Sequence, residues 1–422
     1  LSYKDTAQQN SYVTIPHAAY SYEQTETAAN VYEDIIDSLT GGRLVGSVTS
    51  FENFAECPLR YYLRYGVDLK EREEFTFSPV NFGVVLHAVI REVCDEIKKN
   101  GESYYLISEE KRREMVKRSV AAITDIYQNS ILKDSSRNSF MIKRMEDLAD
   151  RTVWAMGEQL KCGDFVPFVF EHKFNMEVGD GDRKQLMSGT IDRVDICENG
   201  TDVYVRIIDY KTGKKDFNIV KTYYGIDIQL MVYMEAAMKL VAKMRPGKNV
   251  IPAGVFYYNI SDPIVSATTE SAEEIEDKIK GELRLKGMVN SDKDIAEKMD
   301  NTEGTSLNIP VSRKADGGFD SRRSKVMNTE QFNMLGRFVD VRAVDTADRI
   351  AGGDIRRSPY KDGQFSSCDR CPYGAVCGFS VDLPGCNYRK LKKFDDEVLW
   401  NNIKEGVDEN GKKMDTGAEE RD

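Results

Sequence analysis

Apolar residues recur at helical spacing in 82–98, where Val85, Leu86, Val89, Ile90 and Val93 build one face and His87 lies beside it. Similar patterns predict helices over 108–130 and 137–161, with a shorter helical stretch around 27–39. The period then changes. VPFVFEHKF, QLMSGTIDRVDI and VYVRIIDY are rich in β-branched and aromatic residues and read as successive strands. A helix is expected over about 226–243, a further strand over 253–260 and a helix over about 328–351. Ser50 can cap a short helix over 51–56, and Pro58 suits the first turn of the next one. Cys57 is thereby placed at a helix junction. The alternation of helices and strands gives an α/β fold.

Residues 262–325 break the pattern. They are polar, charged and glycine-containing, with helical pieces around 271–286, and read as an excursion from the core, a subdomain or flap. The organisation expected is a tail of an upstream region over 1–46, a domain over 47–391 holding that inserted excursion and a cysteine loop at 368–386, and an acidic tail over 392–422. The tail is expected to be loose beyond about residue 405. The chain opens on Leu rather than Met, which reads as a fragment cut from a longer protein or as a processed chain.

Composition narrows the class. At 422 residues the chain can build one large core or two smaller ones, and 41% hydrophobic with 31% charged residues fits a soluble globular protein. No apolar run reaches membrane-spanning length. Eight cysteines are too sparse for a disulfide scaffold, and a CxxC in such a chain points to metal ligation in a reducing, cytoplasmic compartment. The net charge of −11 excludes a strongly basic electrostatic binder but not a DNA-binding protein. From Asp395 to Asp422 there are ten acidic and four basic residues, so the tail alone contributes −6.

The candidate chemistry lies at Asp192, Asp209 and Lys211. A strand ending in Asp, a turn, and a second strand carrying Asp-x-Lys put two carboxylates and an ammonium at one sheet edge. Carboxylate oxygens suit Mg²⁺ or Mn²⁺, and the lysine could hold or deprotonate a water and offset phosphate charge. Taken alone, Asp-x-Lys also fits a surface hairpin with solvated charges. Gln229 and Tyr233 share one helix face four residues apart and can orient a phosphate or the lysine; ordinary helix polarity is the plainer alternative. His87 fits either a satisfied core histidine or a ligand, and Gly83 one turn earlier lets another backbone come near. Gly189 is expected to let backbone approach a phosphate. Asp195 falls on the other face of its strand and reads as structural, while Glu171 and His172 receive no chemical role. A basic cluster, Arg313, Lys314, Arg322, Arg323 and Lys325, fits either a solvated face or a contact to DNA or a partner.

Cys368, Cys371 and Cys377 follow CxxCx5C, and Cys57 adds a fourth thiolate. Four suffice for tetrahedral zinc or an iron–sulfur cluster, and ligand softness does not separate the two. Cys94, Cys162 and Cys197 read as core residues, and Cys386 lies close enough to compete as a ligand.

NFGVVLH, GTIDRVD, IIDYKTG, YYGIDIQLMVY and the four-cysteine frame together resemble the RecB-like branch of the PD-(D/E)xK nucleases. LKGMVNSDKDIAEKMD, SRRSK and CDRCPYGAVCGFSVDLPGCNYRKL are similar to the AddB family, the B subunits of bacterial AddAB helicase–nucleases. The resemblance runs from about Ser47 to Leu391. It implies a restriction-endonuclease-like core, a mixed sheet flanked by helices, with helical additions and an iron–sulfur clasp. It further implies His87, Asp192 and Asp209 as Mg²⁺ ligands, Lys211 as the catalytic lysine, and Gln229 and Tyr233 completing the site. Cys57, Cys368, Cys371 and Cys377 would hold a [4Fe–4S] cluster. The expected partners are DNA and an A subunit carrying helicase activity and a second nuclease, and the expected process is double-strand break repair with cleavage of the 5′-ended strand. No GxxxxGK[ST] occurs, so ATP binding is not assigned to this chain. A stand-alone nuclease of CRISPR adaptation and a non-catalytic DNA-binding or assembly module are the alternatives. The 262–325 excursion speaks against the first, and the intact His87/Asp192/Asp209/Lys211 set against the second.

Overall fold

A computed structural model describes residues 45–70, 79–126, 136–178, 185–266, 270–383 and 386–419. The helix expected around 27–39 and the end of 108–130 lie outside the described residues. In chain order, β1 (Val45–Ser47) leads into α1 (Val48–Glu56) and α2 (Pro58–Tyr61), followed by three long helices, α3 (Pro79–Lys99), α4 (Glu109–Ile126) and α5 (Ser136–Lys161). β2 (Val166–Val178), β3 (Gln185–Asn199) and β4 (Asp202–Lys211) follow as a meander. Next come α6 (Ile219–Tyr223), α7 (Gln229–Met244) and β5 (Asn249–Asn259). α8 (Ala272–Glu282), β6 (Lys286–Asn290), α9 (Lys293–Met299), β7 (Val326–Met327) and α10 (Thr329–Ala351) complete the main body. β8 (Tyr360–Asp362), β9 (Phe365–Ser366), α11 (Gly374–Cys377) and β10 (Arg389–Lys390) form the cysteine region, and α12 (Asp396–Glu419) closes the chain.

The sheet is mixed, in the order β1-β3-β4-β5-β6-β7, with β2 along the other edge of β3. β3 pairs antiparallel with β2 and β4, while β4 and β5 run parallel through the α6–α7 crossover. Parallel strands buried on both faces read as apolar runs, and β4 is buried from Val203 to Tyr210. Val203, Val205 and Ile207 face the core under α7 and α10, whereas Tyr204, Ile208 and Tyr210 face the core under α3 and α5. By this alternation Asp209 and Lys211 project toward α7.

Local chemistry explains several boundaries. Ser47, not Ser50, caps α1: its Oγ accepts the Ser50 N–H at 3.1 Å, and the Ser50 hydroxyl donates back to the Ser47 carbonyl at 2.7 Å. Pro58 occupies the first turn of α2, as its missing N–H predicts. Asn328 and Gln331 form a capping box on α10.

Two expectations give way. The 262–325 segment does not leave the core. It supplies β6 to the sheet and buries Leu285, Val289, Ile295, Met299, Ile309 and Val311. Its glycine is part of the reason: a Cβ on Gly287 would lie 1.9 Å from the Val255 carbonyl oxygen, so only glycine lets β6 close on β5 there. The acidic tail is helical to Glu419 rather than loose beyond 405. Leu399 and Ile403 are buried in the core, and Gly406 lies against the Phe338 ring.

Asp195 is structural, as its strand face predicts. It is wholly buried between Arg193, at 2.7 and 2.6 Å, and Arg206, at 2.8 Å, and the Arg206 guanidinium also lies 4.8 Å above the Phe165 ring. Burial opposes the carboxylate charge, but the two guanidiniums more than offset it and hold its pKa below the ordinary range. Asp195→Ala leaves two guanidiniums buried without their anion and is expected to lose about 3–5 kcal/mol of stability in urea unfolding at pH 7. Because the folded pKa is depressed, this contribution is present above the ordinary carboxylate range and fades as pH falls below it. The gap between wild type and variant should therefore narrow in acid.

Candidate active site and cysteine centre

The site forms where β3 and β4 reach the α7 side of the sheet. Phe170 pairs with Arg193 and His172 with Ile191, so Glu171 on β2 stands opposite Asp192 on β3. His87 on α3 meets both: its Nδ1 lies 3.5 Å from Asp192 Oδ1 and 3.8 Å from Glu171 Oε1. His87, Glu171 and Asp192 offer three ligand atoms within 4.8 Å of one another, the one such group among the described residues. The other Asp192 oxygen accepts the backbone N–H of Tyr210 at 2.6 Å, which locks the carboxylate onto β4. Burial disfavours a charged imidazole at His87, but hydrogen bonds and charge from Asp192 and Glu171 prevail and push its pKa up to about 10. A cation at this place is what two facing carboxylates demand.

Asp209 stands beside that trio. Its carboxylate holds Lys211 Nζ at 2.5 Å, and the same ammonium donates to Gln229 Oε1 at 3.0 Å. The Gln229 amide nitrogen in turn donates to the Tyr233 hydroxyl at 2.9 Å. Burial and the neighbouring Asp192 charge push the Asp209 pKa up to about 7, against the pull of Lys211. A divalent cation would relieve the repulsion between two such carboxylates. His87, Glu171 and Asp192 offer such an ion one imidazole and two carboxylates, and the carboxylate oxygens are the hard donors that suit Mg²⁺ or Mn²⁺.

The structure brings His87, Asp192, Asp209, Lys211, Gln229 and Tyr233 into one neighbourhood. Glu171 was missed. It has φ of +47°, left-handed for a residue inside a strand, and period-2 reasoning carries no signal for that. Gly189 has a packing reason within the protein. A Cβ there would lie 2.8 Å from the Phe174 ring and 3.0 Å from Tyr233, so glycine admits the aromatic pair that positions Tyr233. Gly83 faces the Thr212 side chain beside Lys211, not another backbone.

At the far end of α1, Cys57, Cys368, Cys371 and Cys377 line one small cavity with Leu59, Leu63, Tyr373 and Phe379, while Cys386 is not among its lining residues. All four are free thiols. Four thiolates around one small cavity suit either a tetrahedral zinc or an iron–sulfur cluster. Burial raises the thiol pKa of Cys57, Cys368 and Cys377, a penalty that metal ligation removes. The ends are sewn together by Leu59 N–H to the Arg356 carbonyl at 3.2 Å, Tyr373 hydroxyl to the Leu69 carbonyl at 3.0 Å, and Arg389 to the Ala55 carbonyl.

The basic cluster divides. The Arg313 guanidinium donates to the carbonyls of Thr302, Ala296 and Asp300 and holds its own loop together. Lys325 pairs with Asp216 at 2.5 Å. Lys314, Arg322 and Arg323 are exposed.

A mixed sheet presenting carboxylates and an Asp-x-Lys lysine from adjacent strands defines a metal-dependent nuclease architecture. The chain belongs to the PD-(D/E)XK nuclease superfamily, whose family model matches residues 46–378. It is similar to the B subunit of the ATP-dependent helicase/deoxyribonuclease of Lachnoclostridium phytofermentans, 34% identical over 411 residues, covering 95% of this chain and 35% of that protein. The corresponding B subunits from Clostridium acetobutylicum (34% over 403 residues; 93% and 34% covered) and Thermoanaerobacter sp. (33% over 380 residues; 87% and 33%) are similar to it as well. The chain spans about a third of the length of these curated relatives.

Glu171→Ala removes one of the three clustered ligands. It is expected to weaken Mn²⁺ binding, measured by isothermal titration calorimetry, by on the order of tenfold or more. Unchanged affinity would place the ion elsewhere.

Proposed function

We propose that this chain is the nuclease region of an AddB-type subunit: a divalent-metal-dependent deoxyribonuclease that hydrolyses phosphodiester bonds of the 5′-ended strand during double-strand break repair. The observation that carries the reading is the meeting of His87, Glu171 and Asp192 beside the Asp209–Lys211–Gln229 chain. His87, Glu171, Asp192 and Asp209 would hold Mg²⁺ or Mn²⁺, which when bound supplies Lewis acidity toward a phosphate oxygen. Lys211, fixed between Asp209 and Gln229, orients the attacking water and offsets charge developing on the phosphate. The water oxygen forms the new bond to phosphorus and gives up a proton to solvent as the ester bond breaks, and the leaving oxygen takes up a proton from solvent, so one water is added across the P–O bond. Tyr233 keeps the Gln229 amide turned so that its oxygen, not its nitrogen, faces the lysine.

Cys57, Cys368, Cys371 and Cys377 would hold a [4Fe–4S] cluster that clasps the two ends of the domain. The reading implies a companion A-type helicase–nuclease subunit and a cytoplasmic setting, where DNA is the substrate and thiols stay reduced. Lys314, Arg322 and Arg323 offer the exposed cations for DNA or that companion. Among the described residues no helix is long and apolar enough to cross a membrane.

The direct test is cleavage of single-stranded DNA with Mg²⁺. Asp209→Ala and Lys211→Ala are each expected to abolish cleavage while circular dichroism stays that of the wild type. Loss of folding in both variants would assign these residues a structural role instead.

Metal analysis addresses the cysteines. Anaerobically prepared protein is expected to contain iron and acid-labile sulfide, and Cys→Ala at any of the four ligands should lose both and lower the melting temperature. A metal bridging residues about three hundred positions apart removes much unfolded-chain entropy, so the loss should be large. Cys94→Ala should have only a modest packing effect. Stoichiometric zinc without iron would overturn the cluster assignment.

A further inference from the structure

The first turn of α7 has an unusual cap. Ile228 precedes the helix and offers no capping side chain. The cap comes from α1 instead. Glu52 Oε1 accepts the backbone N–H of Ile228 at 2.9 Å and of Gln229 at 3.0 Å, from a residue 176 and 177 positions earlier in the chain. A carboxylate oxygen there satisfies two orphan donors and complements the positive end of the helix dipole. Gln229, the second of these residues, is the one whose amide oxygen receives Lys211 Nζ.

The surroundings are built to keep this geometry. Asp227, one residue before the capped pair, takes the Tyr257 hydroxyl at 2.6 Å and the Lys215 ammonium at 3.0 Å. That ammonium also lies 4.4 Å over the Tyr257 ring, and Thr222 donates its hydroxyl to the Asp227 carbonyl at 2.8 Å. The loop before α7 is therefore held on one side by β5 and on the other by α1. Its position sets where the Gln229 side chain begins.

We propose that Glu52 is a positioning residue for the hydrolytic reaction: by capping α7 it places the Gln229 amide, and the amide keeps the Lys211 ammonium in line with Asp209. The inference rests on the nuclease reading above. Glu52 acts at one remove, through Gln229, and its removal lets the start of α7 shift while Asp192, Asp209 and His87 keep their own supports.

The test compares steady-state cleavage of single-stranded DNA in Mg²⁺ by the wild-type chain and four variants: Glu52→Ala, Glu52→Gln, Gln229→Ala and the double variant Glu52→Ala/Gln229→Ala. Melting temperatures are recorded for each. Glu52→Ala is expected to lower kcat by on the order of ten- to a hundredfold, the usual effect of removing a group that orients a site residue. Glu52→Gln should recover most of the lost rate, because an amide oxygen can accept the same two N–H groups. The double variant should be no slower than Gln229→Ala alone, because the two residues act through one path. The inference is overturned if Glu52→Ala keeps the wild-type kcat, if its loss merely follows the unfolded fraction, or if the two losses multiply in the double variant. A wild-type protein that cuts no DNA overturns the nuclease reading itself, an outcome distinct from these.

Discussion

The ammonium of Lys211 rests between the Asp209 carboxylate at 2.5 Å and the Gln229 amide oxygen at 3.0 Å. β4 is buried on both faces up to this point, so each charge at its end needs a partner or it would be too costly to keep there. That requirement dictates the surroundings. α7 must cross close enough for Gln229 to reach the lysine. Gly189 must lack a side chain so that Tyr233 can fit, and Asp192 must be locked by the Tyr210 amide before it can face Glu171. The second face of the same strands solves an analogous problem with Asp195 between two guanidiniums. One sheet thus carries two buried charge clusters. In the structural one both carboxylate oxygens are taken up by guanidiniums, and the other leaves carboxylates facing each other with only one histidine between them.

Much of this was legible in the sequence because strand and helix periods assign faces. The i, i+2 spacing of Asp209 and Lys211, the i, i+4 spacing of Gln229 and Tyr233, and the opposite facing of Asp192 and Asp195 need no tertiary information. What escaped lies where periodicity fails. Glu171 enters the site because its strand carries a left-handed residue opposite Asp192, a backbone event that no residue pattern announces. β6 was hidden because it is five residues long in a polar stretch and joins the sheet through a glycine that only the facing carbonyl explains. Arg313 looked like part of a basic patch because composition does not show that its donors point to carbonyls within its own loop. The tail was read from its charge, whereas Leu399 and Ile403 bury one side of its helix.

The cysteine region and the nuclease site share α1. Its first turn is capped by Ser47 on β1, its middle supplies Glu52 to α7, and its last residue precedes Cys57. Nine residues therefore join the edge of the sheet, the lysine's support and the four-cysteine region. Distant parts of the chain meet there through hydrogen bonds and burial, so a disturbance at one end has a rigid element through which to reach the other.

The left-handed conformation of Glu171 has a consequence for how the protein can change. A non-glycine residue held at positive φ stores about 1–3 kcal/mol of strain, and a carboxylate opposite another carboxylate adds repulsion. Glycine at this position would relax both, while losing more chain entropy on folding. Strain and charge are thus concentrated on one carboxylate that the backbone pairing of β2 with β3 does not use, so replacing it would empty the place opposite Asp192 and leave the strands joined.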